Sequence, residues 1–267
     1  MRVGRPNRRG WISRVAGPVA GVVGALLFVG VAVAAGPIVL DGLFGDWAGH
    51  PNVPDPQGDA YAAADVVAFF FDTNPNEETA YFMAERVGSN RPQLLLLRVD
   101  TNNNGVYTDP QDRAVVVFYR PLGNRARVNV VLTTGTGQFL NTLATNADWG
   151  ESIPEGGRRV EWGVTFADLG ILPGQTIRMR LMSTAAVRRC FLNGELEDAQ
   201  EGGDELAELL EDFLEELAEG EADVAPPCVD FVNEVQWSPA NALGRPLVAV
   251  LAVAGALLLA WQRSRTP

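Results

Sequence analysis

The sequence predicts a mainly β protein: an antiparallel β-sandwich carrying one acidic α-helical insertion, with helical terminal segments. Three observations carry that reading. Between residues 36 and 185, short apolar runs alternate with clusters of Asn, Asp, Gly and Pro, with no helical periodicity between them. Residues 195–223 hold 14 carboxylates and no basic residue, so setting them aside turns a formal charge of −12 into +2. Each end of the chain carries an apolar run bordered by arginines. The expected division is 1–35, signal peptide or N-terminal membrane segment; 36–190, sandwich; 191–228, insertion; 229–240, final strand; 241–267, C-terminal transmembrane anchor or sorting tail.

The chain opens with Arg2, Arg5, Arg8, Arg9 and Arg14, and no acid precedes Asp41. The apolar run 15–35 ends Val31-Ala32-Val33-Ala34-Ala35, small residues that suit signal-peptidase cleavage after Ala34 or Ala35. Arg8-Arg9-Gly10-Trp11-Ile12 loosely resembles a twin-arginine export signal, without the usual Ser or Thr ahead of it. An uncleaved anchor is the alternative, since the run is long enough to span. At the other end, 247–261 is apolar without interruption. A helix of that length reaches roughly 22 Å against a hydrocarbon core of about 30 Å. Snorkelling by Arg245, with 242–244 included, makes up the difference. Arg263 and Arg265 stay cytoplasmic under the positive-inside rule. The expectation is an extracytoplasmic, cell-surface body whose membrane partner is engaged through this C-terminal helix.

Strands are expected over 65–72, 79–86, 93–99, 114–119, 127–133, 159–166 and 176–182. Val128, Val130 and Leu132 alternate with Arg127 and Asn129. Val160, Trp162, Val164 and Phe166 alternate with Arg159, Glu161 and Thr165. Such alternation marks one buried and one wet face. The runs 65–72 and 94–99 lack it and read as central strands buried on both sides. About 150 residues are ample for one core.

Between 94–99 and 114–119 lies a loop rich in oxygen-bearing side chains. Asp100, Asn102 and Asn104 recur at alternate positions, and Gly105 follows where the backbone must turn. With the Val106 carbonyl, Thr108, Asp109 and Asp112 they form a set of hard donors of the kind calcium takes in sixes to eights. Gln111 stands where an EF-hand has its closing glutamate, so Asp109 or Asp112 would close the site, and no helical pattern flanks it. A plain Asn/Gly-rich hairpin loop is the alternative.

In the insertion, Asp204 can cap a helix in which Leu206, Leu209, Leu210, Phe213, Leu214 and Leu217 recur at helical spacing, with Gly220 as the stop. One face is apolar and the others are acidic, so the helix must dock on its own domain or on a partner. Cys190 and Cys228 bracket it, and an even count in an exported chain suggests a disulfide worth about 3–4 kcal/mol. Beyond Cys228, Phe231, Val235 and Trp237 against Glu234 and Gln236 read as a last strand.

A resemblance is carried by Leu40-Asp41-Gly42-Leu43-Phe44-Gly45-Asp46-Trp47, Asp55-Pro56-Gln57-Gly58-Asp59 and Ala64-Asp65-Val66. These segments look like the opening of family 9 carbohydrate-binding modules and their DOMON-like relatives. Residues 161–170 are similar to the late strand of those domains, with Thr165 where Pro is common. The resemblance spans roughly 36–185 and implies a β-sandwich that often binds calcium and sometimes sugars. It makes Asp41, Asp46, Asp59 and Asp65 a second rank of metal ligands, with turn and cap chemistry as the alternative. Sugar sites in such modules stack aromatic rings on pyranose faces. Trp162 is core by alternation, and Trp11 and Trp261 lie in the terminal segments. That leaves Trp149, Trp47, Tyr107 and Tyr61, with Trp149 foremost and Trp47 able instead to plug the end of the sandwich.

Absences narrow the chemistry. All 21 basic residues are Arg, so there is neither a Schiff-base lysine nor a phosphate-loop lysine. The sole His, His50, has no nucleophile motif to serve, and Gly-x-Ser-x-Gly, His-Glu-x-x-His and Gly-x-Gly-x-x-Gly do not occur. Arginines beyond the N-terminal segment are scattered, which gives no groove for nucleic acid. The sequence therefore reads as a non-catalytic surface module with a glycan or protein partner. Two alternatives stay open: a haem-binding electron-transfer module with Met83, Met179, Met182 or His50 as axial ligands, and a protein-interaction module using the acidic helix.

Overall fold

Eleven strands make up about half of residues 36–185 and 228–239, the parts of the chain that the computed structural model describes. In chain order they are β1 (Asn52–Pro54), β2 (Val66–Thr73), β3 (Thr79–Arg86), β4 (Gln93–Asp100), β5 (Arg113–Pro121) and β6 (Ala126–Thr134). Then come β7 (Phe139–Ala147), β8 (Arg159–Thr165), β9 (Ile177–Ala185), β10 (Val229–Phe231) and β11 (Val235–Trp237). All pair antiparallel, as the alternation predicted. One sheet has four strands in the order β1-β2-β3-β8; the other has seven, β10-β9-β4-β5-β6-β7, with β11 also on β9. Phe69, Phe82 and Trp162 from the first sheet share one buried core with Leu95, Leu97, Val115, Val117, Val128 and Val130 from the second. Phe69 and Phe82 stack at 6.0 Å and Phe82 and Trp162 at 5.7 Å between ring centroids. Each such side chain contributes about 1.5–3 kcal/mol through burial.

Several details differ from the expectation. β4 is buried on both faces, as expected, because it lies inside the larger sheet. β2 lies next to the short edge strand β1, and Val67, Ala68 and Phe70 keep partial exposure. The strands β1 and β7 were not expected. β1 contains Pro54, tolerable at an edge where one side of the strand needs no donor. β7 is the exposed far edge of the larger sheet, with three register shifts against β6, so burial imposes no strict alternation on it. The final strand is broken into β10 and β11, which pair in succession along β9. The acidic helix, Cys190 and both apolar terminal segments lie outside the described residues. Among the described residues no helix is long and apolar enough to cross a membrane.

Buried charges fasten the loops. The Arg86 guanidinium donates to the carbonyls of Gly157, Ala63, Ser89 and Arg91 and lies 5.0 Å from the Tyr119 ring centroid. Burial lowers its pKa to about 10, so it stays charged at neutral pH. Glu161, in the middle of β8, has no exposed surface. Its Oε1 accepts from the amides of Asp41 (2.9 Å) and Gly42 (2.8 Å), and its Oε2 from the Trp47 indole N–H (2.8 Å). Gly42 has φ 76, and a Cβ there would lie 2.8 Å from the Asp148 carbonyl, so only glycine fits this grip. Asn74 takes the Ile38 amide at 2.7 Å, and His50 bridges Asp72 (2.9 Å) and the Gly36 carbonyl (3.2 Å). Together these contacts lash 36–50 across the smaller sheet.

Burial pushes the Glu161 pKa from 4.5 up to about 7. The folded chain therefore keeps a proton that the unfolded chain releases between those values. This contribution to stability is full below pH 4.5 and is lost as pH rises through about 7. Glu161→Gln should flatten the stability profile in that window. Glu161→Ala, which strands three buried donors, should cost about 2–4 kcal/mol. Urea titrations across the acid-to-neutral range read both effects, and an unchanged slope in Glu161→Gln would assign the profile to another group.

Candidate metal centre

Three aspartates of the segment before β2 lie near a fourth from the final strand. Asp55 follows β1, and its amide donates to the Val67 carbonyl at 3.0 Å, which sets it beside β2. Asp59 follows the turn at Gly58, whose φ is 97. Asp65 directly precedes β2, is 2 % exposed, and its Oδ2 accepts from the Gly58 amide at 2.8 Å. Asp230, in β10, accepts from the Val66 amide at 2.7 Å. Carboxylate oxygens of Asp55, Asp59 and Asp230 all lie within 4.8 Å of one another.

Repulsion and burial both act on this group. Burial, then the Asp59 charge, raises the pKa of Asp55. Burial also raises that of Asp65, and pushes Asp230 up to about 6 with Asp55 and Asp59 adding to it. Asp55 Oδ2 and Asp65 Oδ1 are buried without a hydrogen-bond donor. Orphaned buried carboxylate oxygens are costly unless a proton or a cation compensates them. Calcium binds oxygens at 2.3–2.6 Å, so donors up to about 5 Å apart can share one ion. The donors are all hard oxygens, with no thiol or imidazole, which suits calcium better than zinc. A cation held by Asp55, Asp59 and Asp230 would supply positive charge there and tie this loop to β10.

Of the sequence-based ligands, Asp59 belongs to this group and Asp65 stands beside it, while Asp41 and Asp46 do not. Asp41 Oδ1 accepts from the Leu43 amide and Asp46 Oδ2 from the Val39 amide within the lashed N-terminal segment, while Asp46 Oδ1 is also buried without a donor. Asp55 and Asp230 were missed. Asp55 stands between prolines in the quoted Asp-Pro-Gln-Gly-Asp run, and its spacing to Asp59 was a usable signal. Nothing local marks Asp230, whose place depends on the pairing of β10 with β9.

The loop after β4 brings its oxygens together in another way. Asp100 accepts from the amides of Asn104 (3.2 Å) and Gly105 (2.7 Å). Asp112 accepts from the Thr101 amide and hydroxyl and from the Asp109 amide. The side-chain amides of Asn102, Asn104 and Gln111 all donate to Asp109 Oδ2. Val106 and Thr108 are exposed at its rim. Both buried carboxylates, Asp100 and Asp112, thus have donors from within the loop, unlike the orphaned oxygens of Asp55 and Asp65.

The four aromatic candidates have different neighbours. Trp47 is 2 % exposed, with its ring edge-on to His50 and Phe70 and its N–H on Glu161, so it plugs the smaller sheet and offers no stacking face. Trp149 is half-buried against the main core, and its carbonyl accepts from the Glu161 amide. Tyr107 donates to Glu234 at 2.7 Å, and Tyr61 packs near Ala63 and Ala64 beside Asp65. Of the side chains named for the haem alternative, Met83, Met179 and Met182 are buried and both nitrogens of His50 are hydrogen-bonded.

Calcium at about 100 times its Kd should stabilise the protein by about 2.7 kcal/mol. Asp230→Asn should abolish that gain. The gain should shrink as pH falls through about 6, because Asp230 then takes up a proton in competition with the ion. Asp100→Ala should destabilise by about 2–4 kcal/mol in chelator and calcium alike, because it strands two amides. Thermal melts with and without chelator check all three, and identical melts for the parent protein would remove calcium from this site.

No family model, curated protein or solved structure matches this chain.

Proposed function

We propose that the chain is an exported, membrane-anchored, non-catalytic β-sandwich module, stabilised by calcium, that works by presenting a binding surface. The observation that carries this reading is the cluster Asp55, Asp59 and Asp230 at the seam between loop and final strand, where Asp55 Oδ2 is buried without a donor. Support for a non-catalytic role comes from how the other buried acids are used. Glu161, Asp100 and Asp112 spend their oxygens on backbone amides and an indole, and Asp72 is bound to His50. The basic and apolar ends support export and anchoring, and Cys228, buried beside Ala185, would pair with Cys190 outside the cell. Carbohydrate is the leading ligand class, on the resemblance of 36–185 to family 9 modules. Trp149 is the ring best placed to serve it, being half-buried in the turn before β8.

The test is a glycan array probed with the purified protein in calcium. Binding that is lost in Trp149→Ala, with the melting temperature of the body retained, supports a sugar module. A blank array from folded protein shifts the role to scaffolding. Non-reducing peptide mapping of the exported chain should recover one linked pair, Cys190 with Cys228; two free thiols would count against an extracytoplasmic body.

A further inference from the structure

The larger sheet has a second apolar face, turned away from the core it shares with the smaller one. In β4, Leu95, Leu97 and Val99 point into the shared core, so Leu94, Leu96 and Arg98 point the other way. Leu94 and Leu96 join Ala114, Val116, Val131 and Met182 in a separate cluster, and Leu94, Leu96 and Val116 are 1 % exposed. Every residue of that cluster belongs to this one sheet, with Phe118 and Val229 packed at its margin. Side chains of a sheet with nothing over it keep more accessible surface than that, and no described element lies across them.

The rim is basic. Arg98 and Arg180 are register partners across β4 and β9, and Arg180 also stands 4.9 Å from the Phe231 ring centroid. Like charges directly opposite destabilise a sheet unless an anion joins them. Among the described residues no carboxylate lies within ion-pair distance of either arginine.

We infer that the acidic insertion folds back over this face, its Leu/Phe stripe on Leu94, Leu96, Val116 and Met182 and its carboxylates on Arg98 and Arg180. Both feet of the insertion stand at this place. It leaves after Ala185 and returns at Cys228, and Thr184 and Val229 are register partners on β9 and β10. A helix over 204–219 is about 24 Å long. Five strands spaced about 4.8 Å apart span about 19 Å, so one helix crosses the cluster. Leu206, Leu210, Phe213 and Leu217 repeat on one side of that helix, and its other sides hold carboxylates without a basic residue of their own. Apolar face and basic rim thus match apolar stripe and acidic flanks in one chain. The inference stands apart from the cation site and from any glycan.

Amide hydrogen exchange on the full chain in detergent tests it. Residues 204–219 should be protected in the parent chain. Two variants, Arg98→Glu with Arg180→Glu, and Leu210→Ser with Phe213→Ser, should each lose that protection by about tenfold or more. Strands β2, β3 and β8 should keep theirs. The second variant leaves the body's own residues intact, so it decides the matter if the first fails to fold. Three results would overturn the inference: an unprotected insertion in the parent chain, protection that survives the helix-side variant, or protection that needs anionic vesicles or rises with protein concentration. The last would hand the face to a membrane or to a second copy.

Discussion

A carboxylate taken out of water must find donors, and this molecule uses that demand to place its loops. Glu161 sits at the centre of a strand with no exposed surface and reaches the amides of Asp41 and Gly42 and the indole of Trp47. Without those three donors the burial of the charge would be prohibitive. With them, a segment lacking regular structure becomes a cover for one face of the smaller sheet. Trp47, Ile38, Phe44 and Met83 then form an apolar cluster of their own under that cover. The same device recurs at Asp100 and Asp112, which draw the loop after β4 back onto its own amides. Hydrophobic burial builds the two sheets, and buried acids decide where the connections between them lie.

One group of acids departs from that pattern. Asp65 and Asp230 each hold a backbone amide, yet Asp55 and Asp65 retain a buried oxygen with no donor. Burial raises their pKa values as it does that of Glu161, and here the neighbouring carboxylates add to it. The contrast with the Asp100 loop is instructive, because that loop has the better metal-like spacing in sequence. Regular spacing of oxygens there is also what a chain needs to satisfy its own turn, and donors within the loop meet the buried acceptors. The acids brought together from Asp55 to Asp230 have too few donors of their own, which is a stronger mark of a missing charge.

How far the sequence could be read follows from how local each signal is. β6 and β8 were legible because polar residues alternate with Val128, Val130 and Leu132 and with Val160, Trp162 and Val164, although the second face is not the wet one expected: Glu161, Val131 and Thr133 are buried as well. β7 was not, since an exposed edge strand places no such demand on Asn141, Thr142 or Thr145. Asp59 and Asp65 could be singled out from short motifs. Asp230 could not, because its partner amide, Val66, is fixed only by tertiary pairing. Trp47 could be read as a loop ring or as a plug, and it is Glu161, far along the chain, that recruits its N–H and draws it inside.

The split last strand has a consequence for how the molecule is made. β10 and β11 run along β9 and close the larger sheet, Trp237 packs against Phe71 and Phe82, and Asp230 fastens the start of β2. Until residue 237 leaves the ribosome, β9 is an unpaired edge and the core lacks one of its aromatic plugs. Contacts so distant in sequence form slowly and late. The larger sheet and its aromatic core are therefore completed only by the last strands of the body to be synthesised.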